Sequence, residues 1–321
     1  MHWKTKARIQ TLVARLPDRL SYPLYYQLQR RFGAMRPHRI DPTNRMQVAI
    51  QLCERIVQMG RSPVGATFFE VGTGWRLNLP IAMWLLGAEQ TVTVDLNRYL
   101  RMELVQEDLA YLRQHRDAMA GMFAGALPEL FDRTRFAQLL AAHPTSAEEF
   151  CQLIAARYIA PGDAARTPLA DDSIDFHVSC NVLEHIPQQV LAAIFAEANR
   201  IVRPDGLLLH RVDHSDHFSH TDQSISPIHF LRFSDGYWQT LAGNRYGYVN
   251  RLREDDYLAL FDGAGQAIEQ VESECDAHVL SLLEDDLDLA KPYADKSLDT
   301  LARLNSLFVT RPAPAAMAQV A

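Results

Sequence analysis

Cysteine is scarce: Cys53, Cys151, Cys180 and Cys275 are the only four in 321 residues. They form no close pair and no zinc-like spacing. That sets aside a disulfide scaffold and a cysteine metal centre, and leaves reduced thiols in a cytoplasmic protein as the expectation. Long apolar runs are lacking as well. The longest, Leu79 to Ala88, has about ten residues, where a spanning helix needs about 20. Arg15 and Asp18-Arg19 interrupt the apolar stretch near the N-terminus, so it does not read as a secretory signal. No internal repeat is present. Positive charge is missing from most of the chain. Residues 1–45 hold ten Lys and Arg against Asp18 and Asp41, a balance of +8 within a net charge of −7. An enzyme acting on nucleic acid usually spreads such charge along a stripe that reaches its active site. Confinement to one end argues against a nucleic-acid partner.

The stretch Phe68 to Asp95 organises what is there. Thr67-Phe68-Phe69 is apolar and β-prone, and Glu70-Val71-Gly72-Thr73-Gly74 reads as a turn. Leu77 to Leu86 reads as a helix ended by Gly87, and Thr91 to Val94 as a second strand with Asp95 at its carboxyl end. Strand, helix and strand within roughly 30 residues make a right-handed βαβ unit, whose ligand crevice lies outside the carboxyl ends of its strands. Gly72 and Gly74 would let a ligand approach the backbone. Asp95, 21 residues after Gly74, stands where an acid accepts from both ribose hydroxyls. A dinucleotide would want glycine at position 77, where Leu77 stands. Glu70 would repel a pyrophosphate. A ligand with an ammonium, a sulfonium and no phosphate suits the acid better, and S-adenosylmethionine is such a ligand.

The motifs resemble the class I S-adenosylmethionine-dependent methyltransferases of the type 11 kind. Glu70-Val71-Gly72-Thr73-Gly74 resembles the first motif of that family, E-x-G-x-G. Asp163-Ala164, followed by Leu169 to Asp175, resembles its D-A-x-x-L-P-F run, and Asn181 to Ile186 its L-E-H-I run. Arg203-Pro204-Asp205-Gly206 resembles the turn before the fifth strand. Arg76 replaces a third glycine common in the family. The resemblance implies an α/β fold: a Rossmann-like, seven-stranded mixed sheet with helices on both faces. It also implies S-adenosyl-L-methionine as cofactor and a methyltransferase activity. The implied cofactor residues are Glu70, Gly72, Gly74, Asp95, Asp163 (an acid accepting from the adenine amino group), Ala164 and Asn181.

Around that core the chain carries additions. Residues 1–45 read as a basic helical cap of two amphipathic helices broken at Pro17. Packing on the catalytic domain, peripheral contact with an anionic membrane, and homodimerisation are all open to it. Residues 46–312 form the expected methyltransferase domain, and 313–321 a disordered tail. Residues 98–157 read as a helical insertion, with breaks at Asp117 to Gly121 and Ala141 to Thr145 and a capping box at Thr145-Ser146-Ala147-Glu148. Residues 213–252 read as a lid. Strands are expected at Arg157 to Ile159, Ile174 to Ser179, Leu207 to Val212, Ala267 to Ser273 and Ser306 to Thr310.

Five of the twelve histidines lie between His210 and His229. His214 and Asp213 follow the fifth strand, at the catalytic edge. There His214 could take the proton of an acceptor hydroxyl while Asp213 orients its ring. His185, just past the fourth strand, is a further catalytic candidate. Asp213, His214, Asp216 and His217 contain suitable metal ligands, but their spacing fits no strong zinc signature, and no metal is assigned. Phe230 to Trp238 adds aromatics that suit either sugar stacking or lid packing. The expected activity is O-methylation of a small molecule or glycan. The alternatives are N- or C-methylation of a small metabolite and a non-catalytic cofactor-binding scaffold.

Overall fold

The computed structural model describes residues 1–33, 35–285 and 287–312. The expected tail, 313–321, lies outside them. The seven strands are β1 (Thr67–Val71), β2 (Gln90–Val94), β3 (Ala156–Ile159), β4 (Ile174–Cys180), β5 (Val202–Asp213), β6 (Gln266–Cys275) and β7 (Arg303–Pro312). They form one mixed sheet in the order β3-β2-β1-β4-β5-β7-β6, with helices on both faces. The expected Rossmann-like α/β sheet is therefore present, with β7 beside β5.

By compactness the chain divides into two units. The first comprises Met1–Met35, Asn181–Ala193 and His210–Thr310, and the second Arg36–Cys180, Ile194–Leu209 and Arg311–Ala321.

The second unit holds the βαβ core. β1 pairs in parallel with β2 and β4, and β2 with β3. Strands covered on both faces read as near-continuous apolar runs, and Phe68, Phe69, Val71, Val92 and Val94 are all buried. The connecting helix, Asn78–Leu85, is buried at all eight positions. Its proline, Pro80, lies in the first turn, where no intrahelical N–H bond is lost. Gly87 ends the segment at φ 94°. A side chain there would be strained, and its Cβ would come within 2.9 Å of Val64 Cγ2.

Between β2 and β3 stand the helices Met102–Gln114, Arg116–Ala126, Arg133–Ala141 and Ala147–Leu153, and the break read at Asp117 to Gly121 is not one. Arg116–Ala126 is a continuous helix through Gly121. Burial of Met119 and Phe123 offsets the roughly 1 kcal/mol that a helical glycine costs. The cap of Ala147–Leu153 lies one position later than read. Ser146 Oγ accepts from Glu149 N, and the Glu149 carboxylate accepts from Thr145 N and Oγ1. β5 also starts earlier than expected and takes in Arg203 to Gly206. Asp175 accounts for this: it accepts from Arg203 Nη1 at 2.6 Å and from Thr67 N at 2.8 Å. A Cβ at Gly206 would lie 2.6 Å from the Asp175 carbonyl oxygen, so this close strand approach requires glycine.

The first unit has its own core, built around Trp3. That ring packs with Phe218, Phe233 and Trp238, in a core that includes Phe230 and Leu231. Trp3 N donates to Asp222 Oδ2 at 2.7 Å, which pins the first helix, Trp3–Ala14. The second, Asp18–Phe32, adds a Tyr25–Tyr246 stack with ring centroids 3.8 Å apart. The aromatics Phe230 and Trp238 are thus core, and the Arg251 guanidinium lies over Trp238 at 5.6 Å. Arg253 is fully buried and donates to the carbonyls of His214, Leu301 and Arg303. Among the described residues no helix is long and apolar enough to cross a membrane.

Candidate active site

The carboxyl ends of β1, β2 and β3 gather most of the expected cofactor residues. Gly72 and Gly74 lie at φ 84° and 66°, the left-handed region that favours glycine. Gly72 N and Thr73 N both donate to the Val94 carbonyl, at 2.8 and 3.2 Å. Gly74 N donates to Asp95 Oδ2 at 2.9 Å, and Asn97 N to Asp95 Oδ1 at 3.0 Å. Gly162 N donates to the Asp95 carbonyl at 2.9 Å. Asp95 therefore ties together the turns that follow all three strands. Burial raises its pKa, and the bonds from Asn97 and Gly74 work the other way.

Glu70 occupies a different place from the one expected. It is the fourth residue of β1, not part of the turn, and is only 4% exposed. It lies beneath the glycine loop and accepts from Thr93 Oγ1 at 2.5 Å. Thr93 spends its one proton on Glu70, so Thr73 Oγ1, 2.5 Å away, donates to Thr93. Burial raises the Glu70 pKa to about 8, against the opposing Thr93 bond and Arg45 charge. Arg45 was not foreseen as a site residue. From the helix Thr43–Gln58 it donates to the Cys180 carbonyl at 2.7 Å, at the end of β4. Glu70, largely enclosed, supports the loop from below. The case against a dinucleotide then rests on Leu77, which is fully buried where that fold needs glycine.

Arg76 turns to the insertion and pairs with the buried Asp108 and, at 3.9 Å, with Glu107. Trp75 packs against Tyr99 with the rings tilted and centroids 4.8 Å apart. Asp163 is exposed and accepts from Ala165 N at 2.9 Å, while Ala164 is buried. Asn181, the residue after β4, has φ 52°, and its N donates to the Arg211 carbonyl at 2.9 Å.

The catalytic candidates lie in the first unit, and the structure corrects one of them. His214 is 3% exposed. Its Nδ1 is 3.1 Å from the Leu252 carbonyl and its Nε2 2.9 Å from Ser306 Oγ. Burial, then the Arg253 charge, pushes its pKa down to about 3. A ring with both nitrogens engaged in the core meets no acceptor, so His214 is a structural residue. Nor does Asp213 orient it. Asp213 accepts from Ser215 N at 2.8 Å and Oγ at 2.6 Å, and its Oδ2 is 3.5 Å from His217 Nε2 and 3.8 Å from His220 Nε2. Burial raises the Asp213 pKa, but His217 and Ser215 outweigh it and hold the carboxyl well below the usual range. His185 is exposed, with Nδ1 2.9 Å from the Tyr248 carbonyl. Its ring lies 4.9 Å from that of His217, and Glu184 joins the pair. Sequence reasoning passed over Glu184 and named His217 only among ligands in the wrong company.

The sheet order, the paired left-handed glycines and the acid that follows β2 are the arrangement that the sequence resemblance implies. Residues 120–210 match the model of a family described as "Methyltransferase domain". No curated protein matches the chain. Among solved structures it is similar to a Pyrococcus horikoshii OT3 protein (13% identity, 89% of this chain and 98% of that one, TM-score 0.48). It is similar also to the magnesium protoporphyrin IX methyltransferase of Synechocystis PCC 6803, solved with bound S-adenosylhomocysteine (11%, 84% and 84%, 0.45). A third is an S-adenosylmethionine-dependent methyltransferase of Mesorhizobium loti (16%, 82% and 97%, 0.42).

The residues present fit the cofactor. Each Asp95 oxygen accepts one backbone N–H and keeps capacity for a ribose hydroxyl. The Cβ position of Gly74 has no atom within 4 Å, so ligand can approach the backbone there.

Asp95→Ala should weaken S-adenosylhomocysteine binding at least tenfold by calorimetry, and unchanged affinity would remove Asp95 from the site. A second expectation concerns pH. The folded pKa of Glu70, about 8, lies above its ordinary value of 4.5. Its stabilising contribution is therefore full below about pH 4.5 and is lost as pH rises through about 8. Glu70→Gln should melt progressively higher relative to wild type from pH 5 to pH 9, by on the order of a few degrees. A constant difference across that range would contradict the assignment.

Proposed function

We propose that the enzyme transfers the methyl group of S-adenosylmethionine to a hydroxyl of a small molecule or glycan. The observation that carries this reading is the imidazole and carboxylate set at Glu184, His185, Asp213 and His217, at the end of β5 and on the segments that follow β4 and β5. A hydroxyl must lose its proton as it is methylated, whereas a neutral amine attacks through a lone pair it already has. Histidines and acids so placed are groups that hold a hydroxyl and favour the loss of its proton.

Bound S-adenosylmethionine supplies a methyl group made electrophilic by the sulfonium. The protein has to bind and orient. We assign the ribose hydroxyls to Asp95, and the close approach of the ligand to Gly72 and Gly74. The loop holding Asp163 and Ala164, tied to Asp95 through Gly162 N, is assigned to the adenine. Glu70, Thr93 and Thr73 hold the loop from below. Orientation of this kind can supply roughly 7–11 kcal/mol of the barrier in favourable cases. Asn181, at a left-handed φ next to β4, is assigned to the cofactor as well. The acceptor falls to His185 and His217, with Asp213 fixing His217.

The test is transfer of tritium from methyl-labelled S-adenosylmethionine to a panel of sugars, phenols and amines. Label should appear in alkali-stable methyl ethers of hydroxylated acceptors. Label found only in amines would overturn the O-methylation reading, and cofactor binding with no transfer to any class would favour a non-catalytic scaffold.

A further inference from the structure

The ligand atoms of Glu184, His185 and His217 all lie within 4.8 Å of one another, and the geometry points to a binding site for one divalent transition-metal ion. This goes beyond the expectation of no metal. It also moves the ligands away from the run of Asp213, His214, Asp216 and His217. Of those four, His214 is engaged in the core, Asp216 is fully buried, and Asp213 lies behind His217.

The three ligands come from two segments held in place. Glu184 and His185 sit in a 3-10 turn, Leu183–His185. Asn250 Nδ2 clamps that turn by donating to the Leu183 and Ile186 carbonyls at 2.8 and 2.9 Å, and Asn250 N donates to the Glu184 carbonyl at 2.7 Å. The bond from His185 Nδ1 to the Tyr248 carbonyl fixes the tautomer and puts the lone pair on Nε2. His217 has the Asp213 carboxylate 3.5 Å from its Nε2. A carbonyl behind the ring, as Tyr248 provides for His185, is the usual support of a metal-bound imidazole, and the Asp213 carboxylate stands at ion-pair distance from His217. A tetrahedral ion at about 2.0–2.2 Å from its ligands spaces them roughly 3.3 Å apart. Closing from the observed span takes a shift of about an ångström, within reach of the exposed His185 ring.

Two imidazoles and one carboxylate favour manganese, iron, cobalt or zinc over the oxygen-seeking calcium and magnesium. Glu184 is 3% exposed, His217 half-buried and His185 exposed, so the site is walled on one side and open on the other. Three protein ligands with open positions is the pattern of a catalytic ion. Resting on the hydroxyl reading above, such an ion would take the acceptor oxygen and lower its pKa. The hydroxyl proton leaves to solvent, the oxygen forms its bond to the methyl carbon, and the carbon–sulfur electron pair stays on sulfur.

The full chain, stripped with a chelator and dialysed, is titrated with Mn2+ while free ion is followed by electron paramagnetic resonance. Cobalt absorption serves as a second probe. One Mn2+ should bind per chain, with affinity at least tenfold weaker in His217→Ala and His185→Gln, while S-adenosylhomocysteine affinity and melting temperature report that both variants are folded. Absence of saturable Mn2+ and Co2+ binding, or affinity unchanged in both variants, would overturn the site. Methyl transfer to hydroxyls that persists in full after metal removal would overturn its role while leaving the O-methylation reading standing.

Discussion

The hydrogen bonds of Asp95 are the constraint on which the rest of the cofactor edge depends. Its side chain takes the N–H of Gly74 and of Asn97, and its carbonyl takes the N–H of Gly162. Three turns, each at the end of a different parallel strand, are set by one residue. The arrangement needs φ of 84° and 66° at Gly72 and Gly74, which a side chain would strain, and a floor that does not collapse. Glu70, Thr93 and Thr73 make that floor, joined by two bonds of 2.5 Å. A carboxylate buried in this way is costly unless it is bonded or neutralised. The threonine bond, the Arg45 charge and a raised pKa together meet that cost. Binding chemistry and backbone conformation are thus one problem with one solution.

The βαβ unit was legible because its signals agree. Apolar strands, a helix of core residues, Gly87 and the distance from Gly74 to Asp95 all indicate one topology. What failed to show has physical reasons. Glu70 was placed in the turn because glycines follow it, yet the pairing of Glu70 with Thr93 and Val178 extends the strand. The helix through Gly121 has no clear local signal, because a glycine marks a break and the burial of Met119 and Phe123 that holds it comes from tertiary packing. Arg76 fills a position common for glycine by turning to Asp108 on the helix Met102–Gln114, a partner 32 residues away that no local pattern reveals.

The histidine-rich stretch shows how position outranks composition. His210 and His214 keep the period of β5, in phase with Leu208 and Val212, and all four are buried. His210 lies parallel to Phe261, with ring centroids 5.9 Å apart. The strand alternation was the available signal that His214 belongs to the core. His217 falls beyond the strand, in a turn, and keeps company with Asp213 and His185. The imidazoles outside the core are therefore fewer than the sequence offers, and His217 and His185 lie close to Glu184.

The central claim is that this sheet edge holds S-adenosylmethionine and not a dinucleotide. Calorimetric titration of the cofactor-stripped protein with S-adenosylhomocysteine, with NAD in parallel, tests it most directly. Micromolar binding of the first and none of the second is the result expected from an edge built on Asp95, two left-handed glycines and a buried Leu77. Binding of NAD alone, or of neither, would contradict it.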